Sequence, residues 1–255
     1  MKIVVCVKQT PDSAANPTIE NGKISWGDAP LILNPWDEYA VEAALRQREI
    51  FGGTVTALSL GDENAQVALR YALAMGADEA IHISDPSPTF DTWAVSHILA
   101  ATIRKIGNVD LAFFGRQAPD GDSGLVPAQT ARLLGWPALT LASTVKVEGN
   151  SVHVERSLEE GHQLVSAKLP AVVSLTKDYG EPRFPSFLNK RKADRAVIPT
   201  WSLAETGVTE SVPRVTWADP TLSPARATAC EFIVGSSPDE IAERLVERIL
   251  AEKVL

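Results

Sequence analysis

Between Phe113 and Pro137 the chain reads FFGRQAPDGDSGLVPAQTARLLGWP, and its loop gathers residue types suited to holding a phosphorylated ligand. Gly115, Gly121 and Gly124 allow the backbone to approach a ligand closely and to turn where φ is positive. Successive main-chain N–H groups ahead of a helix form an anion site, with Asp122 or Ser123 as candidate caps. Arg116 supplies the loop's one cation. Asp120 and Asp122 have the wrong charge for phosphate, a conflict that vanishes if their carboxylates accept backbone N–H groups or face a ribose. Each helix-end charge contact is worth only ~0.3–1 kcal/mol, so such a loop must act collectively. Neither GxGxxG nor GxxxxGK[ST] occurs, which leaves out the dinucleotide fingerprint and the P-loop. The same composition also describes a plain turn rich in small residues.

A loop of this kind needs a scaffold. KIVVCVK (2–8), TVTALSL (54–60), EAIHI (79–83) and DLAFFG (110–115) are near-continuous apolar runs, as expected for strands buried on both faces of a parallel sheet. Helical patterns alternate with them. NPWDEYAVEAALRQREIFGG opens with Asn34 as cap and Pro35 at the first helical position, and closes at Gly52 and Gly53. The second helical pattern has Asp62 as cap and Gly76 as terminator; DTWAVSHILAATIRKIGNVD and SGLVPAQTARLLGWP are the third and fourth. This alternation predicts an α/β fold with a doubly wound, mostly parallel, Rossmann-like sheet. Ligands in such sheets sit beyond the carboxyl ends of strands, which singles out Lys8–Asp12, Leu60–Asp62 and Gly115–Gly124.

After Pro137 the pattern becomes a β-meander over about 139–176, with Gly149-Asn150 as a hairpin turn between TVKVE and SVHVER. The segment from Glu181 is rich in proline and charge, and 209–238 shows little periodicity. An amphipathic helix over 238–254 carries Ile241, Leu245, Ile249 and Leu250 on one stripe and is expected to dock on a partner. The expected organisation is a nucleotide-binding α/β domain over 1–200, followed by a C-terminal arm and helix over 201–255.

The 255 residues carry 24 basic and 32 acidic side chains, a net charge of −8, which argues against general nucleic-acid binding. No apolar run reaches the roughly 18 residues of a membrane span, and MKIVVCVKQTPD has too short an apolar core for a signal peptide, so a cytoplasmic protein without membrane insertion is expected. Cys6 lies in a strand pattern, Cys230 is remote from it, and the four histidines are scattered. No metal-ligand spacing results.

GRQAPDGDSG, NPWDEYAVEAA, ALAMGADEAIHI and VERSLEEGHQLVSAKLPAVVS together resemble the β subunit of electron transfer flavoprotein and its FixA-like relatives. The last stretch carries Arg156, Glu159-Glu160-Gly161, Gln163, Pro170 and Val172-Val173-Ser174, and the likeness runs from Met1 to about Lys192. The resemblance implies an adenine-nucleotide α-hydrolase-like variant of the fold and no catalytic residues. It also implies a heterodimer with an α subunit that holds most of one FAD, and an adenine nucleotide in the β subunit, either AMP or, in electron-bifurcating members fed by NADH, a second FAD. The implied nucleotide site comprises Cys6, Asn34, Pro35, Trp36, Asp37, Leu60, and Gly115, Arg116, Gln117, Ala118, Asp120, Asp122, Ser123, Gly124, Leu125 and Val126. Where bifurcating relatives show Thr and then Gly-Pro in this loop, this chain has Ser123 and Val126-Pro127.

The resemblance also makes EPRFPSFLNKRKADR (181–195) a recognition loop for an acyl-CoA dehydrogenase-type donor, with Phe187 as anchor and Lys190, Arg191 and Lys192 as basic neighbours. Electrons would pass on, as in fatty acid β-oxidation, to an ETF-quinone oxidoreductase or similar acceptor. A stand-alone nucleotide-binding regulatory domain is the alternative from another class, and the missing GxGxxG weighs against a nicotinamide dehydrogenase.

Overall fold

The computed structural model describes residues 1–84, 91–208, 213–216, 218–221 and 230–252. They form two compact units, Met1–Pro220 and Thr221–Leu255. In chain order the first unit contains β1 (Lys2–Cys6), β2 (Gln9–Pro11), β3 (Thr18–Glu20), β4 (Lys23–Ser25), β5 (Leu31–Leu33), α1 (Pro35–Phe51), β6 (Thr54–Gly61), α2 (Gln66–Met75) and β7 (Glu79–Ser84). It continues with α3 (Thr92–Ile106), β8 (Leu111–Gly115), α4 (Val126–Leu134), β9 (Ala138–Glu148), β10 (Ser151–Leu158), β11 (Gly161–Lys168), β12 (Ala171–Leu175), α5 (Phe187–Asp194), β13 (Thr200–Ser202) and α6 (Leu203–Thr206). The second unit contains α7 (Pro238–Ala251).

The central sheet has nine strands in the order β11-β10-β9-β12-β8-β1-β6-β7-β13. All pairs from β9 to β13 are parallel, and only the outer β9-β10-β11 ladder is antiparallel. Gly149 and Asn150 close the predicted hairpin, with Glu148 opposite Ser151. VVSLT, read from the sequence as the end of the meander, instead returns to the sheet interior as β12, parallel to both β8 and β9.

Residues of β1 alternate between two cores. Ile3, Val5 and Val7 pack on the side of α1 and α2, while Val4 and Cys6 pack with the buried residues of α3 and α4. That two-sided burial is why the strands read as unbroken apolar runs. From β1 the chain works outward through β6 and β7, then returns to the other side of β1 as β8. The order therefore reverses between β1 and β8, and a crevice opens beyond the carboxyl ends of strands at such a reversal. Cys6 stands level with Leu58 of β6 and Phe114 of β8, and β6 runs on to Gly61 alongside β7, so the exits of β1, β6 and β8 lie at the same end of the sheet.

Local signals account for α1. Asn34 caps it, its side chain accepting the Trp36 N–H at 3.3 Å; Pro35 occupies the first turn, and Gly52 ends the helix. The buried face of α1 includes Ala40, Ala43 and Ala44, small residues that let the helix lie close to the sheet, beside Val41 and Leu45. No helix among the described residues is long and apolar enough to cross a membrane. In the second unit α7 spans Pro238–Ala251, with Ile241, Leu245, Val246 and Leu250 exposed; the expected continuation to 254 lies partly outside the described residues.

Candidate nucleotide site

A cavity of about 530 Å3 opens at the strand-order reversal. Cys6 lines it from β1, Leu60 from β6, Phe114 and Gly115 from β8, and Asn34 and Asp37 from the start of α1. The loop after β8 contributes Arg116, Gln117, Ala118, Asp120, Asp122, Ser123, Gly124, Leu125 and Val126. Pro35 and Trp36 are not in the lining. Pro35 starts α1, and the Trp36 ring lies 5.6 Å from the Arg116 guanidinium, which it holds at the rim. Phe187, Lys190, Arg191 and Lys192 lie elsewhere, on α5.

One carboxylate ties the walls from α1, β1 and β8 together. Asp37, buried in the first turn of α1, accepts the Lys8 N–H at 2.8 Å and the Gly115 N–H at 3.1 Å. Burial pushes its pKa up to about 7, against the opposing pull of the Lys8, Asn34 and Gly115 donors and of the Lys8 charge. Burial, and secondarily the Asp37 carboxyl, also raises the Cys6 thiol well above its ordinary range, which favours the neutral thiol over the thiolate. Asn34 adds a second tie, donating from Nδ2 to the Gln117 carbonyl at 2.8 Å.

Of the two roles the sequence allowed the acidic loop residues, the backbone N–H role is not the one they take. Asp120 pairs with Lys8 at 2.7 Å and Asp122 accepts from the Gln117 amide, so both use side-chain partners in place of backbone N–H groups. Neither Asp122 nor Ser123 caps α4. Leu125 holds that position without a side-chain cap, because Asp122 sits at φ 47° and turns its carboxylate to Gln117. As a result the N–H groups of Ser123, Gly124 and Leu125 have no hydrogen-bond partner among the described residues, just ahead of α4. Three such groups before a helix are suited to a phosphate. Gln9 Oε1 and Asp120 Oδ1 line the same cavity as buried acceptors without a partner among the described residues, which favours a ligand with hydroxyl or amino donors.

Sequence reasoning missed the wall supplied by α3. Asp91, Thr92, Val95 and Leu99 line the cavity. Asp91 caps α3 through the Ala94 N–H at 2.8 Å and accepts the N–H groups of Arg214 and Val215 at 2.7 and 2.9 Å. Burial works against its charge, but these N–H bonds prevail and hold its carboxyl below the ordinary range. The Asp-Thr start of the third helix was the available signal, since it follows a fourth strand exit. Lys8 and Gln9, at the first exit, also line the cavity.

The loop glycines differ in what they permit. Gly124 adopts φ +60° with only the Arg116 carbonyl 3.6 Å from a notional Cβ, whereas Gly121 has nothing within 4 Å and no positive φ. Gly124→Ala is expected to cost about 1 kcal/mol, all of it conformational, and Gly121→Ala less than about 0.5 kcal/mol. Paired urea titrations check this, and equal losses at the two positions would contradict it.

Residues 26–206 match the family model of the electron transfer flavoprotein domain. The chain belongs to the electron transfer flavoprotein β-subunit family. It is 36% identical to electron transfer flavoprotein subunit beta of Thermoanaerobacterium thermosaccharolyticum and 35% identical to the caffeyl-CoA reductase-Etf complex subunit CarD of Acetobacterium woodii, each over 100% of both chains. It is also 38% identical to the protein FixA of Azorhizobium caulinodans, over 82% of this chain and 77% of that one. An electron-transfer role follows at the level of the family, as a carrier subunit and not a classical enzyme.

Proposed function

We propose that this chain binds AMP in the cavity at the β1/β8 reversal and works, with an α subunit, as half of an FAD-bearing carrier. The observation that carries this is the convergence on one cavity of three N–H groups before α4 and two buried acceptors, Gln9 Oε1 and Asp120 Oδ1, none with a partner among the described residues. The N–H groups suit the phosphate; the acceptors suit ribose hydroxyls or the adenine amine. Cys6 and Leu60 flank the cavity as apolar walls for a base. FAD, held mostly by the α subunit with contacts from this chain, would supply the redox chemistry, and this chain supplies position and electrostatics. The C-terminal arm, including α7 with its exposed apolar side chains, docks on the α subunit, and the carrier resides in the cytoplasm.

The donor in this reading is an acyl-CoA dehydrogenase-type flavoenzyme, and the acceptor a quinone oxidoreductase or similar protein. The docking surface is α5 and the residues before it, where Phe184, Phe187 and Leu188 are 91%, 73% and 74% exposed beside Lys190, Arg191 and Lys192. Apolar anchors with a basic rim fit an acidic surface that contains a hydrophobic pocket.

A second reading has FAD in place of AMP and NADH as donor: VVCVKQTPD and the DGDS loop resemble bifurcating-type sequences, while Ser123 and Val126-Pro127 depart from them. One experiment decides between them. Co-expression with an α subunit, a visible spectrum and identification of the released nucleotides should give one flavin and one AMP per heterodimer. Two flavins would establish the second reading. A colourless, adenylate-free pair that elutes as separate chains would overturn both.

A further inference from the structure

We propose that Arg70, on α2, is a positioning residue that holds α5 in its docking pose; the proposal rests on the docking role given to α5 above. The helix has only eight residues, FLNKRKAD, and Ala193 is its one buried member. A helix so short and polar does not persist in water unaided, so its order comes from packing on α2 and from what holds its ends. At the N-terminal end Ser186 accepts the Asn189 N–H at 3.2 Å. At the C-terminal end Arg70 Nη1 lies 2.7 Å from the Ala193 carbonyl, 2.9 Å from that of Asp194 and 3.3 Å from that of Ala196. A guanidinium placed there meets the negative pole of the helix and the carbonyls that a helix end leaves exposed. Gln66, one turn earlier on α2, accepts from Arg70 Nη2 at 3.4 Å and orients the group.

The approach to α5 is anchored as well. Arg183 bonds through Nε to the buried Glu42 at 2.8 Å and through Nη1 to Glu49 at 2.5 Å. Phe184, Phe187 and Leu188 thus project from a segment fixed on both sides, and Arg191 lies 5.9 Å from the Phe187 ring. A segment already ordered before association loses less conformational entropy when a partner binds. Arg70 has no role in the nucleotide cavity, so its effect on docking is separable from cofactor retention.

The test uses the full chain with its α subunit, as wild type, Arg70→Met and Arg70→Lys. Trypsin cleavage after Lys190, Arg191 and Lys192 is mapped by mass spectrometry, with cleavage after the exposed Lys146 as internal control. Loss of the charge-assisted bonds should raise the α5 cleavage rate on the order of tenfold in Arg70→Met, with an intermediate rate in Arg70→Lys and no change at Lys146. With a butyryl-CoA-reduced acyl-CoA dehydrogenase as probe, the KM for this carrier should rise while kcat and flavin content stay constant. Unchanged α5 cleavage in Arg70→Met overturns the proposal, and so does a parallel rise at Lys146. A KM raised by Phe187→Ala but not by Arg70→Met does the same. If Phe187→Ala itself leaves KM unchanged, the docking role of α5 falls, and the proteolysis still decides whether Arg70 holds the helix.

Discussion

Gly115→Ala should empty the nucleotide cavity and lower stability by on the order of 3 kcal/mol. A Cβ at Gly115 would stand 2.4 Å from Asp37 Oδ1, 2.7 Å from the Trp36 carbonyl carbon and 2.8 Å from its oxygen. Two of those atoms are backbone at the start of α1 and cannot rotate aside. The whole helix end must retreat from β8, which stretches the Asp37 bonds to the Lys8 and Gly115 N–H groups and the Asn34 bond to Gln117. Gly115 is not among the glycines with positive φ, so alanine suits its backbone and the loss is steric alone. The check is urea unfolding together with AMP retained through gel filtration of the heterodimer. An alanine variant with wild-type midpoint and stoichiometric nucleotide would show that α1 and β8 do not need this close approach.

That steric demand also shows what a sequence can and cannot disclose. Gly115 was legible as a glycine at a strand exit, but the object it makes room for, the Trp36 backbone, is 79 residues away in the chain and became visible only once β1 and β8 were adjacent. The parallel sheet itself was legible, because β1, β6, β7 and β8 are buried on both faces and write that burial as apolar runs. The Asn34 cap and the Gly149-Asn150 turn were legible because each is a local interaction. The return of β12 to the sheet interior was not, since Ala171–Leu175 satisfies a meander and a parallel strand equally well as a bare apolar run. Nor was the destination of the loop carboxylates. Asp120 and Asp122 could equally meet N–H groups, and only the fold brings Lys8 within 2.7 Å of Asp120.

Two buried carboxyls give the stability of the chain opposite responses to pH. Glu42 is desolvated, yet its hydrogen bonds and ion pairs with Arg183 and Arg46 hold its carboxyl below the ordinary glutamate value. It contributes stability above the unfolded pKa of about 4.3 and loses it as pH falls through its folded value. Asp37 runs the other way. Its folded pKa of about 7 lies above the ordinary 3.8, so between those values the folded chain keeps a proton that the unfolded chain has released. Raising the pH through that window favours unfolding, by on the order of 4 kcal/mol at full extent. Urea unfolding of the isolated chain at pH 5 and pH 8 should therefore show wild type less stable at the higher pH. Asp37→Asn, which keeps the size of the side chain but cannot titrate, should lose most of that difference. A wild-type chain equally stable at both values, or a variant with the same fall, would mean that the Lys8 and Gly115 N–H groups outweigh burial and keep Asp37 ionised. The residue that joins two strand exits to the start of α1 by hydrogen bonds is thus also the one through which neutral pH loosens them, because a carboxyl placed to gather those N–H groups has to be taken out of water to reach them.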